Sequence, residues 1–275
     1  ALFIWRSLTT EDPLVDLSLF KLPEFAGGML LTFMTNFGLY AALVILPLFV
    51  QNMLGFTPTW AGIVLSPGGV ASVVAMLTAG ILVGRVSGKL LLVAGVMSLA
   101  WSTWLLTHIS PQTSISFLIL ARVFNGIGMG FTIVVLASGS MVRVPLPKKG
   151  QASGLYNLMR NEGGSVGIAV ATTILASRAQ YHHARLAEHV TATNPLFQQG
   201  YLRLSSALFP RAGLDPHTTT RLAQGILGAG VTQQSYYLAF VDVFAFLSLA
   251  FLVTLPFVFA LKEPPKGSGG LGASH

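Results

Sequence analysis

The block GLYNLMRNEGGSVGIA, Gly154 to Ala169, sets Asn157, Arg160, Asn161 and Glu162 inside a run that otherwise reads as a membrane helix. Charges at that depth are costly, so they face a protein interior or a water-filled cavity. Arg160 and Glu162 lie two apart, about 200° around a helix, and are not partners on one face. Asn157, Arg160, Asn161 and Gly164 share one face by three- and four-residue spacing; Glu162 shares another with Ser165 and Ala169. One polar face is expected to meet a neighbouring helix and the other a cavity. A carboxyl group that carries protons must be neutral in one state, which burial favours. Glu162 is the candidate for that behaviour, being deepest and without an obvious local partner. The alternative is a Glu satisfied by Asn or Ser across a helix interface.

Two further ionisable groups lie within apolar runs. Asp242 follows a collar of Gln233, Gln234, Tyr236 and Tyr237, about two turns into its run. Arg122, in LARVFNGIGMG, sits at a comparable depth. An Asp242–Arg122 pair is compatible with these depths, either as a structural ion pair or in gating or proton transfer; Arg122 equally could snorkel outward. The histidines are His108, His182, His183, His189, His217 and His275. His182, His183 and His189 on one short helix suit a metal or, equally, an exposed helix face. No metal site, cofactor motif or enzymatic constellation is assigned.

The elements that carry these residues follow from composition. The 275 residues are 53% hydrophobic and 9% charged, with mean hydropathy +0.70. Soluble domains carry roughly 25% charge, so this is an all-α integral membrane protein, since helices alone satisfy their backbone in lipid without closing a barrel. There is no cysteine and hence no disulfide. Six spans are expected near 25–51, 59–83, 88–108, 113–141, 150–176 and 235–261, with Pro47 and Pro67 kinking or breaking the first two. Residues 1–8, ALFIWRSL, read as the tail of a preceding apolar helix, so the chain reads as the C-terminal part of a longer protein. Residues 9–24 form an amphipathic cytoplasmic connector, and 262–275 a disordered cytoplasmic tail.

The loops set the orientation. Arg6, Lys21, Arg85, Lys89, Arg143, Lys148, Lys149, Lys262 and Lys266 fall on one side, and the short loops 51–59 and 108–113 carry no Lys or Arg. The positive-inside rule puts the basic side in the cytoplasm. It also assigns the net charge of +7 to topology rather than to nucleic acid. The long segment 177–234 is then extracytoplasmic. AQYHHARLAEHV and HTTTRLAQGILGAGV within it predict short helices packed on the bundle mouth, with turns at Asn194-Pro195 and Asp215-Pro216. Glycine stripes mark close helix contacts: Gly126 with Gly130, and Gly163 with Gly167 and Ala171. Gly80, Gly84 and Gly88 recur at the same spacing beside Arg85 and Lys89, and predict a helix end that approaches a neighbour closely.

These stretches carry a family resemblance. GILVGRVSGK, Gly80 to Lys89, resembles the G-x-L-x-x-R-x-G-x-K cytoplasmic signature of major facilitator superfamily transporters, with Gly84 in place of its usual Asp and the second Gly displaced to Gly88. Leu120–Gly130 resembles the R-x-x-x-G-x-G-x-G pattern. PLVDLSLF from Pro13, the Gly154–Ala169 block and AFVDVF from Ala239 are similar to the C-terminal half of the 14-helix drug:proton antiporters of the EmrB/QacA type. The resemblance implies the six-helix C-terminal bundle of the major facilitator fold, working by alternating access. It further implies a multi-pass protein of the bacterial cytoplasmic (inner) membrane. Its partners would be the lipid bilayer, protons, a small amphipathic organic substrate for export and a periplasmic adaptor protein. Two alternatives remain at this stage: a dedicated exporter of one metabolite on the same fold, and a non-transporting membrane scaffold or sensor.

Overall fold

The computed structural model describes residues 17–110, 113–142, 144–188, 198–199, 202 and 216–260. The connector before Leu17, most of the segment between the last two helices and the tail after Ala260 lie outside the described residues, so the expectations for residues 1–8, Asn194-Pro195 and 262–275 are not addressed. Six long helices follow in order: α1 Pro23–Asn52, α2 Pro58–Leu82, α3 Gly88–Leu105, α4 Ile115–Gly139, α5 Lys149–Ala187 and α6 Pro216–Ala260. Short 3-10 turns cover Leu17–Lys21, Leu106–His108 and Leu146–Lys148.

Local chemistry sets the boundaries. Pro23 and Pro58 occupy first-turn positions, where a missing N–H leaves nothing unsatisfied. Thr57 and Ser87 cap α2 and α3, accepting from Trp60 N and Leu90 N at 3.4 and 3.3 Å. Gly55, at φ +68°, turns the chain after α1. Pro47 and Pro67 do not break their helices, which run continuously through both.

Among the described residues, five helices are long and apolar enough to cross a membrane: α1, α2, α3 with its 3-10 extension, α4, and Arg221–Phe259 of α6. α5 is not one of them, because its Asn, Arg and Glu dilute an otherwise apolar run. α5 and α6 are also longer than the expected spans. AQYHHARLA continues α5 to Ala187, and HTTTRLAQGILGAGV is the first part of α6. The short separate helices expected there are therefore extensions of long ones, with Pro216 at the first turn of α6.

The chain divides into two compact units. The first holds 1–171 and 244–275, and in it α4 packs extensively on both α2 and α3. Its core gathers Phe25, Met29, Leu92, Val96, Leu99, Leu136, Tyr156 and Phe251. Burial of such side chains removes apolar area from contact with solvent and packs it at solid-like density. The second unit, 172–243, holds the C-terminal part of α5 and the N-terminal part of α6.

Glycine sets the closest approaches. A Cβ on Gly126 would meet the Gly68 carbonyl oxygen, and one on Gly130 would lie 2.7 Å from Ser72 O and 2.5 Å from Ala75 Cβ. Across the α3–α4 contact, a Cβ on Gly95 would lie 2.9 Å from Thr132 Cγ2, and one on Gly128 2.7 Å from Gly95 O. Gly68, Gly95 and Gly128 were not singled out by spacing, because no other glycine stands four residues from any of them.

The Gly80–Gly84–Gly88 stripe does not do what its spacing predicts. A Cβ on Gly80 or Gly84 would meet nothing within 4 Å, and Gly88 makes one ordinary contact at 3.7 Å. Gly84 instead has φ +94°, Val83 has φ −59° and ψ 123°, and Arg85 N donates to Leu82 O at 2.9 Å. That is a type II turn with glycine at its third position, where a positive φ is required.

Candidate functional site

The α5 helix has two unlike sides. On one, a Cβ at Gly163 would meet the carbonyl of Phe33 and one at Gly167 the carbonyl of Phe37, while Gly164 lies under the Tyr40 ring. Ala171 continues this buried stripe. α5 therefore lies directly on the backbone of α1, as the four-residue spacing predicts. On the other side, Asn157, Asn161, Glu162, Ser165 and Ala169 are all exposed.

This places the predicted residues in detail. Glu162 makes no hydrogen bond or ion pair among the described residues and stands on the exposed side with Ser165 and Ala169. Arg160 lies half-buried between the two sides, and its Nε is buried without a hydrogen-bond partner. The two charges do diverge around the helix. The other predicted face is split: Gly164 is packed, whereas Asn157 and Asn161 are exposed, and Asn157 Nδ2 donates to Ser153 O at 3.0 Å.

The exposed surface of α2 is different in kind. Trp60, Ile63, Val70, Val73, Val74, Leu77 and Ile81 dominate it, and the exposed Ser66 and Thr78 hydroxyls turn back onto carbonyls of their own helix. Such a surface suits lipid, whereas a row of Asn, Glu and Ser suits water or a polar partner.

Arg122 neither snorkels nor pairs with Asp242. Its Nη1 donates to Asn125 Oδ1 at 3.0 Å, one turn along α4, and its carbonyl lies where Gly68 of α2 leaves room. Asn125 is 6% exposed and was missed from the sequence, although an Asn three residues after an Arg in an apolar helix is a readable signal. Polar groups on α1 were also missed. Thr32 donates to Gly28 O and Asn36 to Thr32 O, so these buried groups are satisfied within their own helix.

Asp242 finds its partners on α5. Arg178 Nε donates to Asp242 Oδ2 at 2.6 Å, and His182 Nε2 donates to the same oxygen at 2.7 Å. This corrects the Asp242–Arg122 pair that the depths allowed. The apolar run of α5 ends near Ser177, so a residue just beyond it can reach the Asp242 carboxylate, which lies in the middle of the long α6. The hydrogen bond to Asp242 holds the Arg178 guanidinium further above its ordinary range. Arg178 and Arg185 also lie over the Tyr181 ring, at 5.0 and 5.9 Å from its centroid. His182 is thus a carboxylate partner, His183 is exposed and His189 lies outside the described residues. Among the described residues no group of three or more His, Asp or Glu could hold a metal ion.

In the loop after α2, Arg85 is exposed and Lys89 Nζ donates to Phe259 O at 3.3 Å. A cation against the last carbonyls of a helix is favourably placed in its dipole field.

Comparison with known proteins adds an independent line. The family model of the Major Facilitator Superfamily matches residues 4–168. The fatty acid resistance protein FarB of Neisseria gonorrhoeae is 29% identical over 270 residues, covering 98% of this chain and 51% of FarB. The multidrug export protein EmrB of Escherichia coli K12 is 30% identical over 282 residues, covering 100% of this chain and 52% of EmrB. The lincomycin resistance protein LmrB of Listeria monocytogenes is 30% identical over 176 residues, covering 64% of this chain and 37% of LmrB. The chain thus spans about half the length of the first two.

Proposed function

Because this chain belongs to the Major Facilitator Superfamily, we propose that it forms one half of a secondary transporter exporting small amphipathic organic compounds in exchange for protons. The observation that carries this reading is the two-sided character of α5. One side is fixed to α1 through glycine on carbonyl, and the other presents Asn157, Asn161, Glu162 and Ser165 on its exposed surface. A membrane helix with that surface lines a water-accessible path. The apolar surface of α2 faces lipid in the same arrangement. The relatives' names speak of fatty acid resistance, multidrug export and lincomycin resistance, which supports an organic substrate for this chain.

In the proposed mechanism the path opens alternately to the two sides. Glu162 takes up a proton when its side chain reaches water and gives it up on the other side. The neutral form tolerates passage through the closed, poorly hydrated state, and the anion draws a cationic substrate group into the path. Arg160, at the border of the packed side, draws anionic groups to the same region. The protein sits in the bacterial cytoplasmic membrane with six spans, α5 completing the set because its exposed polar side meets the water-accessible path rather than lipid. The basic loops face the cytoplasm, and a periplasmic adaptor meets the opposite side; the asymmetry of Lys and Arg supports this orientation.

The test uses the protein as the cell makes it, reconstituted in liposomes with a proton indicator. Wild type should move protons in response to substrate, and Glu162→Gln should bind substrate yet lose transport driven by a pH gradient. Wild-type rates and pH profile in Glu162→Gln would remove Glu162 from the mechanism. Absence of substrate-dependent proton movement in wild type would overturn the proton-coupled reading itself.

A further inference from the structure

Arg178, Tyr181, His182 and Arg185 fall on one side of α5 at three- and four-residue spacing. Asp242 of α6 faces them, and its Oδ2 accepts from both Arg178 Nε at 2.6 Å and His182 Nε2 at 2.7 Å. All of these residues belong to the unit 172–243. Exposed ion pairs add little to stability by themselves. The informative member here is the histidine, whose charge can change while the guanidinium's does not.

We propose that His182, Asp242 and Arg178 form a proton-operated clamp between α5 and α6, which tightens when His182 takes up a proton. A neutral imidazole carries its hydrogen on one nitrogen only. In the Nε2–H tautomer it donates to Asp242. In the Nδ1–H tautomer it turns a lone pair toward the carboxylate, and the bond is lost. The imidazolium carries both hydrogens, so the bond to Asp242 persists whichever nitrogen the last proton joined, and it becomes charge-assisted. The step is the transfer of one proton from hydronium, which becomes water, to the unprotonated ring nitrogen: Nδ1 in the tautomer that donates to Asp242, Nε2 in the other. Arg178 is the fixed member that keeps Asp242 turned toward α5 in either state.

The surroundings suit this role. His182 side-chain exposure is 17%, against 44% for Arg178 and 30% for Asp242, so the imidazole is sheltered yet close to water. The charged or titratable groups around it are Arg178, Tyr181 and Arg185 on α5 and Asp242 on α6. The Tyr181 ring stands edge-on to His182, with centroids 5.5 Å apart. Arg185 is engaged elsewhere, with Tyr181 and with Glu188 at 3.5 Å.

The clamp is tested without any measurement of transport. Spin labels at Ala184→Cys and Gln234→Cys, both exposed positions, report the separation of the two helices in the intact protein in lipid nanodiscs. Between about pH 8 and pH 5, the range in which histidine changes charge, the wild-type distance distribution should narrow and shift to shorter values. His182→Gln keeps a donor but does not titrate, and its distribution should not change with pH. Arg178→Gln should retain the pH response with a broader distribution. A pH-independent wild type, or a His182→Gln protein that responds as wild type does, would overturn the proposal.

Discussion

Substitution of Gly130 by Ala probes the α2–α4 contact at its narrowest. The added Cβ would stand 2.5 Å from Ala75 Cβ, 2.7 Å from Ser72 O and 2.8 Å from Met76 N. Ordinary contact begins at 3.4 Å, so α2 would have to withdraw by 3.4 − 2.7 = 0.7 Å from the oxygen and 3.4 − 2.5 = 0.9 Å from the methyl. Two of the three obstacles are backbone and cannot rotate aside. A gap of about 0.5–1 Å forfeits a quarter to a half of each dispersion contact along the interface. Overpacking of this kind costs about 1–3 kcal/mol, and the better helix propensity of Ala returns up to ~1 kcal/mol. With the full return the net loss is about 0–2 kcal/mol, up to roughly 8 °C in Tm for a chain of this size, and against a control that gains the same propensity the deficit is the whole of about 1–3 kcal/mol. Gly154→Ala is the control, because nothing lies within 4 Å of its Cβ, and it should be neutral or stabilising. Thermal unfolding of the purified protein, followed by intrinsic fluorescence, reads both variants. Gly130→Ala as stable as Gly154→Ala would refute the close approach of α2 to α4.

Two further outcomes are expected. Single cysteines at Arg85 and Lys148, introduced into a chain that has none of its own, should react with a membrane-impermeant maleimide only after the cells are opened; labelling of either in intact cells would reverse the orientation. Gly84→Ala should destabilise by about 1–2 kcal/mol, because the type II turn demands positive φ, while Gly84→Asn should be milder because Asn tolerates that region; equal melting temperatures for wild type and Gly84→Ala would argue against the turn.

The long apolar runs announced the helices, whereas the starts at Pro23, Thr57-Pro58 and Ser87, two or fewer residues from the expected span edges, are set by first-turn prolines and caps that the runs do not reveal. It also announced Gly126, Gly130, Gly163 and Gly167 as packing positions. Identical spacing misled at Gly80, Gly84 and Gly88. A four-residue glycine repeat marks a helix stripe only where a helix continues, and here Gly84 lies in the turn that ends α2. The lengths of α5 and α6 were underestimated because the end of an apolar run marks the end of lipid contact, not of helix. For Asp242 the depth argument selected Arg122 but could not see across helices. Depth ranks candidates, whereas the partner is chosen by which helices are neighbours. The divergence of Arg160 from Glu162 was legible because it depends only on the geometry of one helix.

The two-sided character of α5 has a consequence for how the chain is made. A helix entering the bilayer from the translocation machinery is judged on its own hydrophobicity, and a charged residue near its centre weighs about 2.5–3.5 kcal/mol against entry. Arg160 and Glu162 together weigh about 5–7 kcal/mol on that scale, and α5 lacks the sustained apolar window that the other five helices have. Insertion of α5 is therefore a joint event. It needs a helix already in place that accepts its glycine side, and α1, synthesised first, offers the carbonyls of Phe33 and Phe37 for that docking. If α5 spans the bilayer as proposed, α1 would serve as the template for its entry, and damage to the Gly163–Gly167 stripe is expected to appear first as a helix left outside the lipid.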